Sequence, residues 1–142
     1  MDLAIRVACA ADIPAIHRVR TRVRENRLSQ PRRVSEASYL PYVAAGSIWV
    51  AETHAGVVGF AALDARLESV WALFVDPGAE GAGVGRALHQ RMLAWAQEQG
   101  FDRLTLSTDK GTRAAQFYER AGWTEAGTTP AGEAFFEILL LN

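Results

Sequence analysis

The sequence predicts an α+β domain in which a mixed, mostly antiparallel sheet of six to seven strands is flanked by about four helices. Three observations lead to this class. Three strand-like runs follow one another with short turns between them, a strand–helix–strand crossover comes next, and a hairpin closes the chain. The length of 142 residues predicts one domain spanning residues 1–142, since single domains of this size are common.

The first half of the chain predicts one strand, two helices and a three-stranded meander. Residues 3–7 are strand-like, and apolar side chains recur at steps of three and four over residues 11–27, which is helical spacing. A second, short helix over residues 36–45 contains Pro41, which implies a bend or two pieces. Three strand-like runs follow at 48–53, 57–63 and 69–75. Both faces of the last run are apolar, so we expect it at the sheet centre, covered on both sides.

The second half predicts a long helix, a parallel strand, another helix and a hairpin. Residues 84–99 carry an apolar stripe at helical spacing, and Gly100 is placed to end that helix. A strand over residues 103–107 follows, so the two strands around the helix should run parallel in a βαβ crossover. A fourth helix and two final strands are predicted over residues 112–121, 123–128 and 134–141.

Composition argues against several functional classes. Fifteen Lys and Arg against sixteen Asp and Glu give a net charge of −1, unlike the basic balance of a protein that holds nucleic acid by charge. Eight arginines fall within residues 1–40, where a solvated helix face is favoured over a nucleic-acid-binding surface. No apolar run has the length of a signal peptide core or of a membrane span, about 18 residues. We therefore predict a soluble, cytoplasmic protein without a nucleic-acid or membrane partner.

Cysteine and histidine usage predicts no metal site. A single cysteine, Cys9, excludes an internal disulfide and a cysteine-built zinc site, and we interpret it as a small buried residue. His17, His54 and His89 lack metal-ligand spacing and an adjacent acid–base partner, so we interpret them as ordinary surface or helix residues.

A glycine-rich turn leads from the third meander strand directly into the long helix. Gly81, Gly83 and Gly85 leave backbone N–H groups unobstructed at the helix N-terminus, whose dipole attracts anions. This pattern predicts an anion cradle; the alternative is a turn that only reverses the chain. The stretch lacks the Gly-Lys-Ser/Thr of a P-loop and the G-x-G-x-x-G/A spacing of a dinucleotide fold. Neither an NTPase nor an NAD enzyme is supported.

The order of these motifs resembles the GNAT superfamily of acyl-CoA-dependent N-acyltransferases, over essentially the whole chain. The resemblance rests mainly on the Gly83-x-Gly85 loop after a strand and on Phe117-Tyr118-Glu119 some thirty residues later. It implies an N-acetyltransferase that moves an acetyl group from acetyl-CoA, its co-substrate, to a primary amine of a small molecule or peptide. The alternative is a non-catalytic acyl-CoA-binding regulatory module. A monomer and a homodimer both stay open as the assembly.

The resemblance also assigns a binding site for the co-substrate. It implies that the central strand splays from its parallel neighbour and that pantetheine binds backbone groups exposed in the gap. It implies that pyrophosphate lies in the glycine loop. The cofactor-binding residues implied in this way are Leu73, Phe74, Val75, Gly81, Ala82, Gly83, Val84, Gly85 and Arg86.

Two residues are implied to take part in the chemistry. Tyr118 matches a tyrosine near the thioester sulfur and is our candidate for the acid that serves the thiolate; core packing beside Phe117 is the alternative. Glu68, at the head of the central strand, matches a common water-relayed base; a solvated strand-end carboxylate is the alternative. A base matters because a lysine-like amine with a pKa near 10.4 is neutral only about once in 2,500 molecules at pH 7. The acceptor site is implied to lie around residues 20–38, and Trp71, otherwise a core aromatic, is a candidate to line it.

Two positions depart from the family pattern. Glu80 stands where the family usually has Arg or Gln, and Gly111 stands where it usually has Asn. A carboxylate at position 80 is expected to repel pyrophosphate, and both changes remove side-chain contacts. Backbone contacts to the co-substrate would survive either change.

Overall fold

A computed structural model describes residues 2–24 and 34–140. Seven strands in these ranges form one sheet, in the order β1-β2-β3-β4-β5-β7-β6. They are β1 Ala4–Val7, β2 Ile48–Thr53, β3 Gly56–Asp64, β4 Ser69–Val75, β5 Arg103–Thr108, β6 Thr124–Thr128 and β7 Ala134–Leu139. The α-helices of the same ranges are α1 Ile13–Arg24, α2 Leu40–Ala45, α3 Val84–Glu98 and α4 Arg113–Arg120. The predicted α+β class is confirmed, whereas one domain over all of residues 1–142 stays a prediction.

Strand directions follow the predicted order of meander, crossover and hairpin. Neighbouring strands pair antiparallel throughout the sheet, except that β4 and β5 run parallel. The parallel pair is connected through α3, as a βαβ crossover requires. β4 therefore occupies the middle of the sheet, where the meander meets the crossover.

Helices cover both faces of the sheet because the inner strands are apolar on both sides. Trp49 and Ala51 of β2 pack in one cluster with residues of α3 and α4. The alternate residues Ile48 and Val50 pack in a second cluster with α1. This alternation follows from the two-residue period of a strand.

β4 is central, but it is less covered than the sequence predicts. Ala72 is its only buried residue, and the other six are half-buried. Side chains of β4 pack against the clusters on both faces of the sheet, as expected, but the strand is only partly buried because β5 diverges from it and leaves part of it open. A register shift beside Ala62 leaves Trp71 without a partner in β3, and Trp71 then packs on the same face as Ala72 and Phe74.

The helix ends agree with the predicted signals. A 3₁₀ turn, Ala10–Asp12, precedes α1, and residues 25–27 of the predicted first helix lie outside the described residues. The second helix does form two pieces, a 3₁₀ turn at Glu36–Tyr39 followed by α2. Gly100, with φ +84°, ends α3. Among the described residues no helix has the length and apolar character needed to cross a membrane.

Cys9 is exposed, so its predicted burial is wrong. The residue precedes the first 3₁₀ turn, and its backbone N–H donates to Asp12 Oδ2 at 2.8 Å. Arg6 donates two further hydrogen bonds to the same carboxylate, both at 2.9 Å, and they hold the pKa of Asp12 below its usual value. The backbone of Cys9 thus has a structural role, while its side chain stays outside the core.

Candidate functional site

β4 and β5 separate along their length and leave a gap between them. Their pairing is confined to Ser69 opposite Thr105, where the Thr105 N–H donates to the Glu68 carbonyl at 3.1 Å. On its other edge, β4 pairs with β3 from Ser69 to Val75. The gap is therefore closed beside Glu68 and open toward Val75.

Leu73 and Val75 turn their backbone polar groups toward this gap. The Asp76 N–H donates to the Val58 carbonyl of β3 at 2.8 Å, and Phe74 lies two residues earlier in the same ladder. Alternate residues of an antiparallel strand direct their N–H and C=O groups to opposite edges. Phe74 therefore faces β3 with its backbone, and only Leu73 and Val75 have the geometry that the implied pantetheine contact needs. The binding roles of all three residues stay predictions.

The glycine loop lies beside open space at the N-terminus of α3. Gly81 and Gly83 have φ values of +84° and +81°, a region that glycine enters without steric cost. Apart from chain neighbours, no atom lies within 4 Å of the place that a Cβ would take at either residue. α3 begins at Val84, and its first N–H groups have no acceptor within the helix. Such a loop at a helix N-terminus is suited to an anion.

Contacts with three elements hold the loop in place. Asp76, at the end of β4, accepts the Gly78 N–H at 2.9 Å through Oδ1 and binds Arg22 of α1 at 3.1 Å through Oδ2. A Cβ added at Gly85 would lie 3.5 Å from Phe117 Cε1 and 3.6 Å from Val75 Cγ2. These are ordinary contact distances, so the start of α3 lies close to both β4 and α4.

Tyr118 of α4 lies in the hydrophobic core, with 6% of its surface exposed. Its ring packs edge to face against Phe117 and Trp123, with centroids 5.3 and 5.4 Å away. No hydrogen-bond partner of its hydroxyl occurs among the described residues, and burial raises the pKa of that hydroxyl. The hydroxyl therefore stays protonated and is able to donate a hydrogen bond; its role as a donor to the thiolate stays a prediction. The core-packing alternative and the donor role are compatible with each other.

His89 is a buried residue that the sequence interpretation underestimated. It is 5% exposed and accepts a hydrogen bond from Trp123 Nε1 at Nε2, at 2.9 Å. Its ring also packs against Phe117 and Tyr118. Burial lowers its pKa, so it is neutral with its proton on Nδ1. The sequence signal that could have predicted this burial is the position of His89 in the apolar stripe of α3, three residues before Met92. Among the described residues no group of three or more His, Cys, Asp or Glu is placed to hold a metal.

We expect His89 to make the folded protein less stable as the pH falls below about 6.5, the ordinary histidine value. Below that pH, His89 is protonated in the unfolded chain but stays neutral in the folded protein. The free energy of unfolding therefore falls by at most about 1.4 kcal/mol per pH unit, until the pH reaches the lowered pKa of folded His89. His89→Gln keeps an acceptor for Trp123 and removes the titration. Urea unfolding at pH 7.5 and 5.5 should show less pH dependence for this variant than for wild type or for His54→Gln, a turn control. Equal dependence in all three would contradict the assignment.

Glu68 occupies the closed end of the gap in an unusual backbone conformation. Its φ is +52°, the only positive value for a non-glycine among the described residues. The turn before it is held by Asp64 Oδ1, which accepts the N–H groups of Arg66 and Leu67 at 3.0 and 3.1 Å. A strained position held by its surroundings is typical of functional residues. No contact brings Glu68 and Tyr118 together.

Glu80 forms an ion pair that the sequence interpretation missed. Arg113 Nη1, in the first turn of α4, lies 3.2 Å from Glu80 Oε1. The two residues are 33 positions apart, and no sequence pattern connects them. Gly111 has φ +70° just before Thr112, whose side chain caps α4 by accepting the Ala115 N–H.

The predicted acceptor region contains an aromatic cluster around Trp71. Tyr42 stacks on Trp71 with centroids 4.4 Å apart, and the Arg20 guanidinium lies 4.8 Å from the Trp71 ring and 5.1 Å from that of Phe74. Arg20 is buried, although the arginines of α1 were interpreted as a solvated face. Its spacing of four residues from Ile16 was the available signal. Residues 25–33 of the predicted acceptor region lie outside the described residues.

Known proteins resemble this chain over much of its length. A family model for an acetyltransferase (GNAT) domain matches residues 44–125. The mycothiol acetyltransferase of Beutenbergia cavernae is 42% identical over 62 residues, which cover 43% of this chain and 21% of that protein. The amino-acid acetyltransferase of Mycobacterium tuberculosis is 29% identical over 139 residues, which cover 94% of this chain and 75% of that protein.

The fold has close structural counterparts. An acetyltransferase structure from Salmonella typhimurium, determined with its cofactor acetyl-CoA, superposes with a TM-score of 0.82 at 21% identity. The match covers 100% of this chain and 96% of that chain, and at this identity it concerns the fold alone. The chain spans about a fifth of the length of the mycothiol acetyltransferase it matches. Because the acetyltransferase model matches more than half of the residues, including the glycine loop and α4, the chain belongs to the GNAT acetyltransferase family.

Proposed function

We propose that the protein is an N-acetyltransferase that transfers an acetyl group from acetyl-CoA to a primary amine by direct attack on the thioester. The observation that carries the proposal is the glycine loop at the open end of the gap between β4 and β5. The names of the relatives support it, since one is a mycothiol acetyltransferase and another an amino-acid acetyltransferase. The Salmonella protein of the same fold was determined with acetyl-CoA.

The residues around the gap fit this co-substrate. The N–H groups of Gly81 to Gly85 and the first turn of α3 would hold the diphosphate, and the exposed Arg86 lies in that turn. Leu73 and Val75 would hold the pantetheine amides through their backbone groups. Phe74 would contribute through its side chain, because its backbone faces β3.

The proposed chemistry assigns one residue to the departing thiolate and one to the attacking amine. When bound, acetyl-CoA supplies the activated acetyl group. Tyr118 donates a hydrogen bond toward the departing thiolate, since its raised pKa favours holding the proton over releasing it. Glu68 accepts the proton of the attacking amine through a water molecule. Glu68 and Val75 are seven positions apart in the chain, so the base lies about 20 Å along β4 from the start of the glycine loop.

The acceptor is a primary amine of a small molecule or peptide, and the protein acts in the cytoplasm. Amino acids belong in the first set of amines to be assayed. One reason is the name of the Mycobacterium relative. The other is the positive charge of α1, whose four arginines favour an acceptor with a carboxylate or phosphate.

Release of free CoA thiol from acetyl-CoA in the presence of a panel of amines tests the proposed activity. The panel should contain amino acids, polyamines, amino sugars and peptides with free N-termini. Amine-dependent thiol release together with an acetylated product supports the enzyme. Binding of acetyl-CoA in calorimetry without turnover of any amine would favour the alternative, a non-catalytic acyl-CoA-binding module.

We expect Glu68→Gln to lower activity most near neutral pH. For a lysine-like acceptor, deprotonation at pH 7 costs about 4.6 kcal/mol, and this cost disappears as the pH approaches the pKa of the amine. The deficit of the variant should therefore shrink between pH 7 and 10. Glu98→Gln, at the far end of α3, serves as the control and should follow wild type. A deficit that stays constant over this pH range would exclude Glu68 as the base.

A further inference from the structure

The ion pair between Glu80 and Arg113 joins the residue before the glycine loop to the first turn of α4. Glu80 directly precedes Gly81, and Arg113 lies at the start of α4. The side chain of Arg113 is 84% exposed and that of Glu80 45% exposed. A pair this exposed contributes little to stability, so its charges are available to a ligand.

The geometry of α4 directs Arg113 toward the loop. Arg113 and Phe117 are four residues apart and therefore share one face of the helix. Phe117 packs against His89 of α3, with ring centroids 5.7 Å apart, so this face of α4 is the one turned toward α3 and the glycine loop before it. The Thr112 cap and the buried Ala115 fix the first turn of the helix. The base of the Arg113 side chain is thus held beside the anion cradle.

Arg113 adds a positive charge at the cradle, besides that of Arg86. The carboxylate of Asp76 is already bound to Arg22, whereas Glu80 adds a negative charge next to a loop that would receive phosphate. A guanidinium matches phosphate oxygens through two parallel N–H groups, as it matches a carboxylate.

We propose that Arg113 exchanges Glu80 for a phosphate group of bound CoA, and that Glu80 holds the guanidinium in place until CoA arrives. The proposal rests on the proposed function, because it assigns a side chain to the same co-substrate site. In this exchange Arg113 is a binding residue, and the Glu80 carboxylate competes with the phosphate for its guanidinium. The phosphate is either one of the diphosphate or the separate phosphate on the ribose.

Calorimetric titrations of four proteins test the exchange: wild type, Arg113→Gln, Glu80→Gln and the double variant. Each is titrated with CoA, dephospho-CoA and pantetheine at about 20 and 300 mM salt. We expect Arg113→Gln to bind CoA about threefold to tenfold more weakly at low salt, with a smaller loss at high salt, because salt screens exposed charges. Glu80→Gln should bind CoA severalfold more tightly, and most of this gain should vanish in the double variant. Pantetheine should bind all four alike.

The other outcomes are equally informative. If Arg113→Gln weakens CoA but not dephospho-CoA, the contact is to the ribose phosphate; if it weakens both, the contact is to the diphosphate. Arg120→Gln, at the other end of α4, is the matched control and should follow wild type. CoA binding by Arg113→Gln that equals wild type at low salt, or an equal loss in Arg120→Gln, would overturn the exchange. Absence of CoA binding to wild type would instead reject the proposed function.

Discussion

Replacing Gly83 with valine is expected to abolish CoA binding while the protein stays folded. Gly83 has φ +81° and is the N-cap of α3, and a β-branched residue is strongly disfavoured there. The protein itself has room for the side chain, since nothing lies within 4 Å of the Cβ position. The new methyl groups would instead occupy the space in which a phosphate must approach the backbone. CoA calorimetry and thermal unfolding together measure the two effects.

Gly100→Val is the matched control for this variant. Gly100 has φ +84°, equally open surroundings, and a position at the opposite end of the same helix. Both variants should lose a similar amount of stability, about 1–2 kcal/mol, because both force a branched side chain into the left-handed region. Only Gly83→Val should lose CoA binding. Normal CoA binding by Gly83→Val would mean that the loop is only a turn.

Tyr118→Phe is expected to bind CoA as wild type does but to turn over about a hundredfold more slowly. Transfer of a proton from a tyrosine with the ordinary pKa near 10 to a thiolate whose thiol has a pKa near 8.5 costs about 2 kcal/mol. Burial raises the pKa of Tyr118 and so increases this cost. The hydroxyl therefore acts as a positioned donor, and its loss belongs at the low end of the ~10²–10⁴ range for acid catalysis. The ring contacts to Phe117 and Trp123 are kept by phenylalanine.

Single-turnover kinetics with saturating acetyl-CoA give the effect of Tyr118→Phe on the chemical step. The pH profile adds a second check. The raised pKa keeps the Tyr118 hydroxyl protonated, so deprotonation of Tyr118 should not lower the wild-type rate at any pH up to about 10. An unchanged rate of the chemical step in the variant would leave Tyr118 with core packing alone.

Local patterns were enough to predict most of the fold. The bounds of β2 and β4 match the prediction, because both strands are short apolar runs next to residues that interrupt strands. Gly46 precedes β2, and Asp76-Pro77 follows β4. α3 was predictable because its apolar stripe indicates a helix and Gly100 marks the end of that helix. The direction of β5 followed from the crossover rule. These features depend on neighbours in sequence.

Features that depend on contacts between residues far apart in the sequence could not be predicted. The bulge at Trp71 is a property of the pairing between β3 and β4, so the sequence could not indicate the face on which Trp71 packs. The pairing of Glu80 with Arg113 joins a loop to a helix 33 residues later. Arg20 and His89 are buried polar residues on helix faces, and polarity alone predicted them at the surface. Burial of such groups is decided by tertiary packing.

A crystal structure of the protein with CoA would show whether the co-substrate lies between β4 and β5. The account predicts the diphosphate within hydrogen-bond distance of the N–H groups of residues 81–85, and the pantetheine arm between β4 and β5 with its amides on Leu73 and Val75. The thiol should point toward the closed end of the gap, beside Glu68. CoA bound at any other surface, with the gap between β4 and β5 empty, would contradict the account.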